Sequence, residues 1–281
     1  MTGPDYIVIG AMKCGTSTLA AQLGGQKGVF MTTPKEPNYF SDDANYAKGA
    51  DWYQSLFAPA QSGDLLGEAS THYTKRPDYP DTIARIQAQV GTDLRLVYMI
   101  RNPMHRLVSH YIHSWSEAET SLPLDATLAQ NSRLVDYGRY GWQIAPFIEA
   151  FGRNSVLLTS LERLRQDQDA ELARIALHIG HKGPVAWNDP LGAQNTSAKR
   201  SRKLPMHSLI VDHPVSTALR RMLVPKALRT YVRESRQVKK RPEIPDAARA
   251  DLVRQFLEDR DVLAEFFPGD PSLHLAYPFA P

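Results

Sequence analysis

The strongest constraint on the fold is a short loop between two glycines, Gly10 and Gly15, close to the start of the chain. An apolar run, Asp5 to Gly10, precedes the loop, and a stretch with helical spacing, Thr16 to Leu23, follows it. A loop between a strand and a helix presents backbone N–H groups at the positive end of the helix dipole, and both features bind phosphate groups. The sequence therefore predicts a strand, a phosphate-binding loop and a helix as the first unit of an α/β fold.

The same alternation of apolar runs and helical patterns continues as far as Ile179. Further strands are predicted at Asp64 to Glu68, Leu94 to Ile100 and Ser155 to Ser160, and helices at Asp81 to Val90, Met104 to Trp115 and Asp169 to Ile179. This alternation predicts a P-loop-like parallel β-sheet flanked by helices, with ligands at the carboxyl ends of the strands.

With 281 residues, of which 42% are hydrophobic, the chain has the size of one well-buried domain. We predict a single domain over residues 1–281, with an α/β core at about 5–183. After Gly183 the alternation stops and prolines interrupt the chain, until a long helix is predicted from Asp246 to Phe267. Residues 184–281 are thus expected to form a helical, loop-rich appendage that covers one side of the sheet.

The single cysteine, Cys14, cannot form an internal disulfide, and we find no charged start followed by a long apolar run that would mark a secretory signal. The longest apolar runs are far shorter than the roughly 20 residues that span a bilayer. We therefore expect a cytoplasmic protein that is soluble or at most peripheral to a membrane.

The glycine spacing of the first loop is that of a Walker A motif, but its lysine has a different position. In the Walker pattern a lysine follows the second glycine, whereas here Thr16 follows it and the lysine, Lys13, lies inside the loop. A cation at that point suits a nucleotide that has a single 5'-phosphate with one further group attached.

The predicted strand Leu94 to Ile100 ends in a second motif, Arg101-Asn102-Pro103, and Ser109 follows eight residues after the arginine. P-loop NTPases usually present an aspartate for Mg²⁺ after such a strand. An arginine repels a metal ion and attracts a phosphate through its planar, permanently charged fork. The two loops together therefore predict a second phosphate site and no metal ion.

These segments resemble the sulfotransferases that use 3'-phosphoadenosine 5'-phosphosulfate (PAPS), especially the branch that contains bacterial enzymes and the Golgi heparan sulfate sulfotransferases. The resemblance extends over roughly residues 5 to 205. Its segments are Lys13-Cys14-Gly15-Thr16-Ser17-Thr18, Lys35-Glu36-Pro37-Asn38-Tyr39-Phe40, Trp52-Tyr53, Gly67-Glu68-Ala69-Ser70, Arg101-Asn102-Pro103 with Ser109, Gly138-Arg139-Tyr140 and Asn195-Thr196-Ser197-Ala198-Lys199-Arg200.

The resemblance implies a nucleotide site and a role for each part of it. The first loop is expected to hold the 5'-phosphosulfate through the N–H groups of Gly15 to Thr18, with Lys13 on the bridging oxygen as adenosine 3',5'-bisphosphate leaves. The segment that closes over the nucleotide contains Asn195 and Ser197. The 3'-phosphate is expected to bind Arg101 and Ser109, with Lys199 or Arg200. PAPS is the implied co-substrate, and no metal ion is required.

Two residues compete as the base that takes the proton of the acceptor. Glu36 matches the base of the heparan sulfate branch, but the cation of Lys35 lowers the pKa of such a carboxylate unless burial opposes it. His72 follows a predicted strand end, and an imidazole titrates near neutral pH without special tuning. The heparan sulfate branch usually has a lysine where this chain has Ala69, so the resemblance does not carry sugar specificity with it.

Residues 199–241 contain thirteen Lys or Arg and two acids, although the net charge of the whole chain is only +3. Apolar residues recur at three- and four-residue spacing from Leu219 to Val232, which predicts an amphipathic basic helix pair interrupted near Pro225. Either this pair packs on the core with its arginines in solvent, or it contacts an amphipathic, lipid-like acceptor or an anionic membrane surface.

Two other functions fit parts of the sequence: a P-loop kinase or NTPase with a degenerate loop, and a non-catalytic protein that binds nucleotide or nucleic acid through the basic segment. Arg101 argues against the first, and nucleic acid is the less favoured partner. The resemblance predicts a PAPS-dependent sulfotransferase that acts on a hydroxyl or amine of a small-molecule, lipid or glycan acceptor. The identity of the acceptor and the oligomeric state are left open.

Overall fold

The computed structural model describes residues 3–191 and 240–280. Its strands are β1 (Tyr6–Gly10), β2 (Val29–Met31), β3 (Leu65–Ala69), β4 (Arg95–Ile100) and β5 (Val156–Ser160). They form a five-stranded parallel sheet in the order β2-β3-β1-β4-β5. The predicted class, a P-loop-like parallel sheet flanked by helices, is confirmed.

The middle strand, β1, pairs with β3 on one side and with β4 on the other, so that Ile7 lies level with Glu68 and Leu96. Residues 6–9 are completely buried, as expected for a parallel strand that helices cover on both faces. Because the strands run in one direction and in register, the chain leaves β1, β3 and β4 at the same edge of the sheet. The three loops that carry the predicted site residues therefore meet there.

The helices that surround the sheet follow the strands closely. They are α1 (Thr16–Gly24), α2 (Asp43–Tyr46), α3 (Gly49–Ser55), α4 (Thr82–Gln89), α5 (Pro103–Ser116), α6 (Leu124–Gln130), α7 (Arg133–Asp136), α8 (Tyr140–Phe151), α9 (Leu161–Gln166) and α10 (Gln168–His178), with two C-terminal helices, Asp246–Phe266 and Pro271–Ala276. The helices predicted at 16–23, 81–90, 104–115, 169–179 and 246–267 are all present, with each end within one residue of its prediction.

The helix α8 was not predicted, because Pro146 stands inside it. A contact with a distant segment stabilises its start: the Asp259 carboxylate accepts the N–H groups of Gly141 at 2.8 Å and of Trp142 at 2.9 Å. A Cβ atom on Gly141 would lie 2.5 Å from the Asp259 carbonyl oxygen, so glycine alone permits this approach of the two helices. The helix Asp246–Phe266 thus holds α8 in place. The first residue of α8, Tyr140, lies in the candidate site.

Among the described residues, none of the helices combines the length and the apolarity needed to cross a bilayer. The basic helix pair predicted from Leu219 to Val232 lies outside those residues.

Candidate active site

The first predicted loop ends at Gly15, the N-cap residue directly before α1. Gly15 has a left-handed backbone with φ of 99°, a conformation that favours glycine. The Thr18 N–H group donates to the Gly15 carbonyl oxygen at 3.0 Å. The N–H groups of Gly15, Thr16 and Ser17 therefore remain at the open N-terminus of α1, where a phosphate group would meet them. The sequence predicts four N–H donors, Gly15 to Thr18. The structure differs at Thr18, whose N–H group is bonded to the Gly15 carbonyl oxygen.

Arg101, at the end of β4, reaches the first loop. Its Nη1 donates to the Lys13 carbonyl oxygen at 3.4 Å, and its buried Nε has no hydrogen-bond partner among the described residues. The Tyr140 hydroxyl donates to the Arg101 carbonyl oxygen at 2.8 Å and lies 3.4 Å from the Sγ atom of Cys14. Tyr140 thus ties the two predicted phosphate loops together. An unpaired guanidinium N–H beside them is a donor suited to an anion.

Cys14 contributes to this contact through its hydrogen bond with Tyr140 and has a structural role. Burial raises the pKa of its thiol to about 11, although the hydrogen bond with Tyr140 acts in the opposite direction. The thiol is therefore uncharged at neutral pH and is not a nucleophile.

The helix α5 begins directly after Arg101 and contains Ser109. The Asn102 side chain accepts the His105 N–H at 3.1 Å and caps the helix, while Pro103 occupies the first turn. Ser109 lies nearly two turns farther on and is buried. The structure keeps Arg101 and Ser109 on the same strand-to-helix unit, but no hydrogen bond joins their side chains.

A further cation, Arg241, lies beside this unit and was not singled out from the sequence. Its Nη2 donates to the His105 carbonyl oxygen at 3.2 Å, and partial burial together with the charge of Arg101 lowers the pKa of Arg241. The last residue of the basic segment 199–241 therefore lies at the start of α5. In the sequence, the only signal for Arg241 is that it belongs to this positively charged segment. Four other predicted site residues lie outside the described residues: Asn195, Ser197, Lys199 and Arg200.

The loop after β2 carries Lys35 and Glu36 and is fastened to the end of β3. The Glu36 N–H group donates to the Ala69 carbonyl oxygen at 3.0 Å, and the Asn38 N–H group donates to the Ser70 hydroxyl at 3.1 Å. These bonds hold Glu36 at the same edge of the sheet as the first loop.

The Glu36 carboxylate is partly buried and ion-paired. Its Oε1 accepts from the Lys35 amine at 2.6 Å and from the Thr71 hydroxyl at 3.3 Å. Burial raises the pKa of the carboxyl group, but Lys35, Lys75 and His72 together outweigh burial and hold the pKa of Glu36 below its ordinary value. None of the described residues is hydrogen-bonded to Oε2, which is therefore the oxygen that an acceptor hydroxyl could approach.

His72, the competing base, lies in a 3₁₀ helix, Thr71–Thr74, that follows β3. Its ring stacks on Tyr79 with centroids 4.7 Å apart, and its Nδ1 is buried without a hydrogen-bond partner among the described residues. Burial, strengthened by the charge of Lys75, lowers the pKa of His72 to about 4 rather than leaving it near neutral pH as expected from the sequence. The imidazole is thus neutral at pH 7, which is the form that accepts a proton, so basicity alone does not decide between His72 and Glu36.

Glu68, on β3 next to the loop of Glu36, is completely buried among aromatic rings. The hydroxyls of Tyr53 and Tyr73 lower its pKa, but no hydrogen bond of good geometry reaches either carboxyl oxygen. Burial dominates and raises the pKa of Glu68 to about 8. At pH 7 the group is mostly a neutral carboxylic acid and does not accept a proton.

Replacing Glu68 with glutamine is expected to stabilise the protein at higher pH. The buried carboxyl group titrates at about 8 in the folded protein, against an ordinary value of 4.5. The stability that its protonated form contributes is complete below the lower value and is lost as the pH rises toward the higher one. The free energies of unfolding of the parent and of Glu68→Gln, measured by thermal unfolding, should agree near pH 4.5. Near pH 8 they should differ by up to about 5 kcal/mol.

Glu171→Gln is the matched control, because Glu171 is a buried glutamate that has partners. Arg163 and Arg174 bind its carboxylate at 2.7 and 2.5 Å. This substitution is expected to lower the melting temperature at pH 8. A difference between the parent and Glu68→Gln that does not change with pH would contradict a neutral Glu68.

The fold and the site define a class of protein: a P-loop-like α/β protein whose first loop contains a lysine, Lys13, and whose strand β4 is followed by an arginine, Arg101. A family model of the sulfotransferase domain matches residues 3–225. The chain belongs to the sulfotransferase domain family. In the part of the chain that the structure describes, no group of three or more His, Cys, Asp or Glu side chains could hold a metal ion.

Two curated relatives show the extent of the sequence similarity. Heparan sulfate glucosamine 3-O-sulfotransferase 3B1 of Mus musculus is 30% identical over 189 residues, which are 64% of this chain and 46% of that protein. Bifunctional heparan sulfate N-deacetylase/N-sulfotransferase 1 of Caenorhabditis elegans is 23% identical over 280 residues, which are 94% of this chain and 29% of that protein. The matched region is less than half the length of either relative.

Two solved structures share the fold. The sulfotransferase from Alicyclobacillus acidocaldarius has a TM-score of 0.68 and 19% identity, over 97% of this chain and 98% of that chain. Mouse sulfotransferase SULT7A1, solved in complex with PAP, has a TM-score of 0.50 and 13% identity, over 98% of this chain and 88% of that chain.

Proposed function

We propose that the protein transfers a sulfuryl group from PAPS to a hydroxyl or amine of a small-molecule, lipid or glycan acceptor. One observation carries the proposal: Arg101 reaches the carbonyl oxygen of Lys13 at 3.4 Å, and Tyr140 is bonded to both loops. Two joined loops, each with its own cation, suit a nucleotide that has a 5'-phosphosulfate and a separate 3'-phosphate. Membership of the sulfotransferase domain family supports this assignment.

Sulfuryl transfer needs an in-line acceptor oxygen, stabilisation of the charge on the leaving oxygen and a group that takes the acceptor proton. We assign the stabilisation of the charge on the leaving oxygen to Lys13 and to the N–H groups at the start of α1. Arg101 and Ser109 would bind the 3'-phosphate, and Arg241 adds positive charge there. Oε2 of Glu36 takes the proton, because the carboxylate is ionised at neutral pH and its hydrogen bonds with the described residues involve Oε1 only.

Adenosine 3',5'-bisphosphate is expected to raise the melting temperature in the presence of a metal chelator. A ligand that binds only the folded protein stabilises it by about 2.7 kcal/mol at one hundred times its dissociation constant. AMP lacks the 3'-phosphate and should stabilise less. Arg101→Ala should remove most of the difference between the two nucleotides, as measured by differential scanning fluorimetry.

Lys48→Met is the matched control, because the exposed Lys48 amine lies over the Trp52 ring at 4.2 Å, outside the candidate site. Its response to the bisphosphate should equal that of the parent. Stronger stabilisation by ATP with Mg²⁺ would favour a P-loop kinase or NTPase instead. Stabilisation by an oligonucleotide, with no response to the bisphosphate, would favour the non-catalytic alternative.

The acceptor can be identified by mass spectrometry of a cell extract incubated with the protein and PAPS. A product heavier by one sulfuryl group gives the acceptor class directly.

We also propose a cytoplasmic location, which the single buried Cys14 supports. Recovery of the full chain from a secreted fraction would contradict that location. Binding to vesicles of anionic lipid tests the proposed membrane contact of residues 199–241.

A further inference from the structure

Lys75 is a buried cation at the edge of the candidate site. It follows the 3₁₀ helix Thr71–Thr74 and is only 9% exposed. Its amine makes a cation–π contact with the Tyr137 ring at 5.8 Å, and no carboxylate of the described residues is within ion-pair distance of it. Its Nζ is not among the fully buried side-chain nitrogens that lack a partner in the described residues, so the amine keeps some access to the site. A largely desolvated ammonium group without an ion pair is unfavourable, and an anionic ligand that reaches it would be favoured.

The backbone on both sides of Lys75 is fixed next to the first loop. The Thr74 hydroxyl donates to the carbonyl oxygen of Ile9 at 2.9 Å, and a Cβ atom on Gly10 would lie only 1.9 Å from that hydroxyl. On the other side, the Arg76 N–H group donates to the Gln143 side chain at 2.8 Å. Lys75 is therefore held beside the strand end that opens the nucleotide loop.

Glu36, Glu119 and Asp78 are the carboxylates whose charges act on Lys75. None of them is within ion-pair distance of its amine, and two of them are bound to other cations. Oε1 of Glu36 is paired with Lys35 at 2.6 Å, and Asp78 is paired with Arg133 at 2.8 Å. Neither provides the amine of Lys75 with a direct ion pair.

The amine of Lys75 is nevertheless close enough to the proposed base to act on it. Its charge lowers the pKa of both Glu36 and His72. Burial lowers the pKa of Lys75 itself to about 8, so the amine is still mostly protonated at pH 7.

We propose that Lys75 binds an oxyanion beside Glu36, either the sulfuryl group of the donor or an anionic substituent of the acceptor. This role rests on the proposed sulfuryl transfer and adds to it a cation on the β3 side of the site. A bound oxyanion would give the buried ammonium group its negative partner.

Inorganic sulfate is the probe for this site, with adenosine 3',5'-bisphosphate present at saturation to fill the nucleotide site. Sulfate is titrated against chloride at constant ionic strength, and thermal unfolding is recorded. Sulfate should raise the melting temperature of the parent above that with bisphosphate alone. Lys75→Met should keep the bisphosphate shift and bind sulfate at least about tenfold more weakly, because a hydrogen bond to a charged group is lost.

Two variants separate this effect from general effects of sulfate. Lys75→Arg keeps the charge and should keep the sulfate shift, and the exposed-lysine variant Lys48→Met should behave as the parent. Equal sulfate shifts in Lys75→Met and the parent overturn the proposal, as does a parent that responds to the bisphosphate and not to sulfate. A parent that does not respond to the bisphosphate overturns the proposed function instead. If Lys75→Met does not unfold cooperatively, Lys75→Gln replaces it with the same expectations.

Calorimetric binding of PAPS and of the bisphosphate distinguishes the two sources of the oxyanion. If Lys75→Met weakens PAPS by about tenfold and leaves the bisphosphate unchanged, the oxyanion is the sulfuryl group of the donor. If both nucleotides bind normally and only the sulfate shift is lost, the oxyanion belongs to the acceptor. Normal binding of both nucleotides together with a normal sulfate shift overturns the proposal.

Discussion

Replacing Lys13 with methionine is expected to lower turnover by about a hundredfold to a thousandfold while changing the affinity for adenosine 3',5'-bisphosphate by less than about threefold. The bridging oxygen gains negative charge only as its bond to sulfur breaks, so the cation acts in the transition state. Methionine keeps most of the length of the lysine side chain without its charge, and both are unbranched at Cβ at this left-handed position, where φ is 68°. Turnover is measured as the adenosine 3',5'-bisphosphate released from PAPS, with the small-molecule fraction of a cell extract as the source of the acceptor. Affinity for the bisphosphate is measured by calorimetry.

Arg101→Ala should show the opposite pattern. The guanidinium is proposed to hold the 3'-phosphate, which keeps its charge throughout the reaction, so its loss should weaken nucleotide binding first. The exposed-lysine variant Lys48→Met should change neither quantity. Equal effects of Lys13→Met and Arg101→Ala on binding and on turnover would show that the two roles are wrongly divided.

Much of the fold could be predicted because its signals are local. The run from Asp5 to Gly10 and the helical spacing from Thr16 onward specify a strand, a loop and a helix without reference to distant residues. Once β1 and β4 are parallel neighbours, their carboxyl ends must lie at one edge of the sheet. The meeting of Lys13 and Arg101 follows from that topology.

Two of the elements that the sequence does not predict, β2 and α8, depend on distant contacts. β2 has only three residues, too few for a periodic pattern, and becomes a strand by pairing with β3. The helix α8 forms in spite of Pro146, because Asp259 caps its start and the C-terminal helix packs along it. No local pattern in either segment contains that information.

The residue types of the candidate site were predictable, whereas the ionisation of the residues that the fold buries was not. Lys35 and Glu36 are neighbours in the sequence, so the lowered pKa of Glu36 could be expected from their charges. The burial of His72 and Glu68 is produced by β3, the loops around it and the aromatic rings packed on them. Burial decides their protonation at neutral pH, and burial of this kind is a property of the assembled fold.

Replacing Glu36 with glutamine is expected to lower sulfuryl transfer by about a hundredfold to ten thousandfold, because the side chain keeps its shape and loses the ability to take a proton. PAPS binding should change by less than about threefold, since the nucleotide loops are not altered. His72→Asn is the matched substitution at the competing base. It should cost less than about tenfold, because the His72 ring is stacked on Tyr79 and its Nδ1 is buried, so this nitrogen is less accessible to an acceptor hydroxyl than Oε2 of Glu36. Both rates are measured as bisphosphate release, with the same extract as the source of acceptor.

The pH dependence of activity does not by itself separate the two candidates, because the pKa of Glu36 lies below its ordinary value of 4.5 and that of His72 is about 4. Lys35→Met separates them, since it removes the cation that binds Oε1 of Glu36 at 2.6 Å. Without that cation the ionised carboxylate is less favoured, so the pKa of Glu36 rises and the acidic limb of activity should move to higher pH. The largest influences on His72 are burial and Lys75, so a limb set by His72 should stay in place. An unmoved limb in Lys35→Met, together with activity of Glu36→Gln within about threefold of the parent, a loss far below that of a general base, would show that Glu36 is not the base.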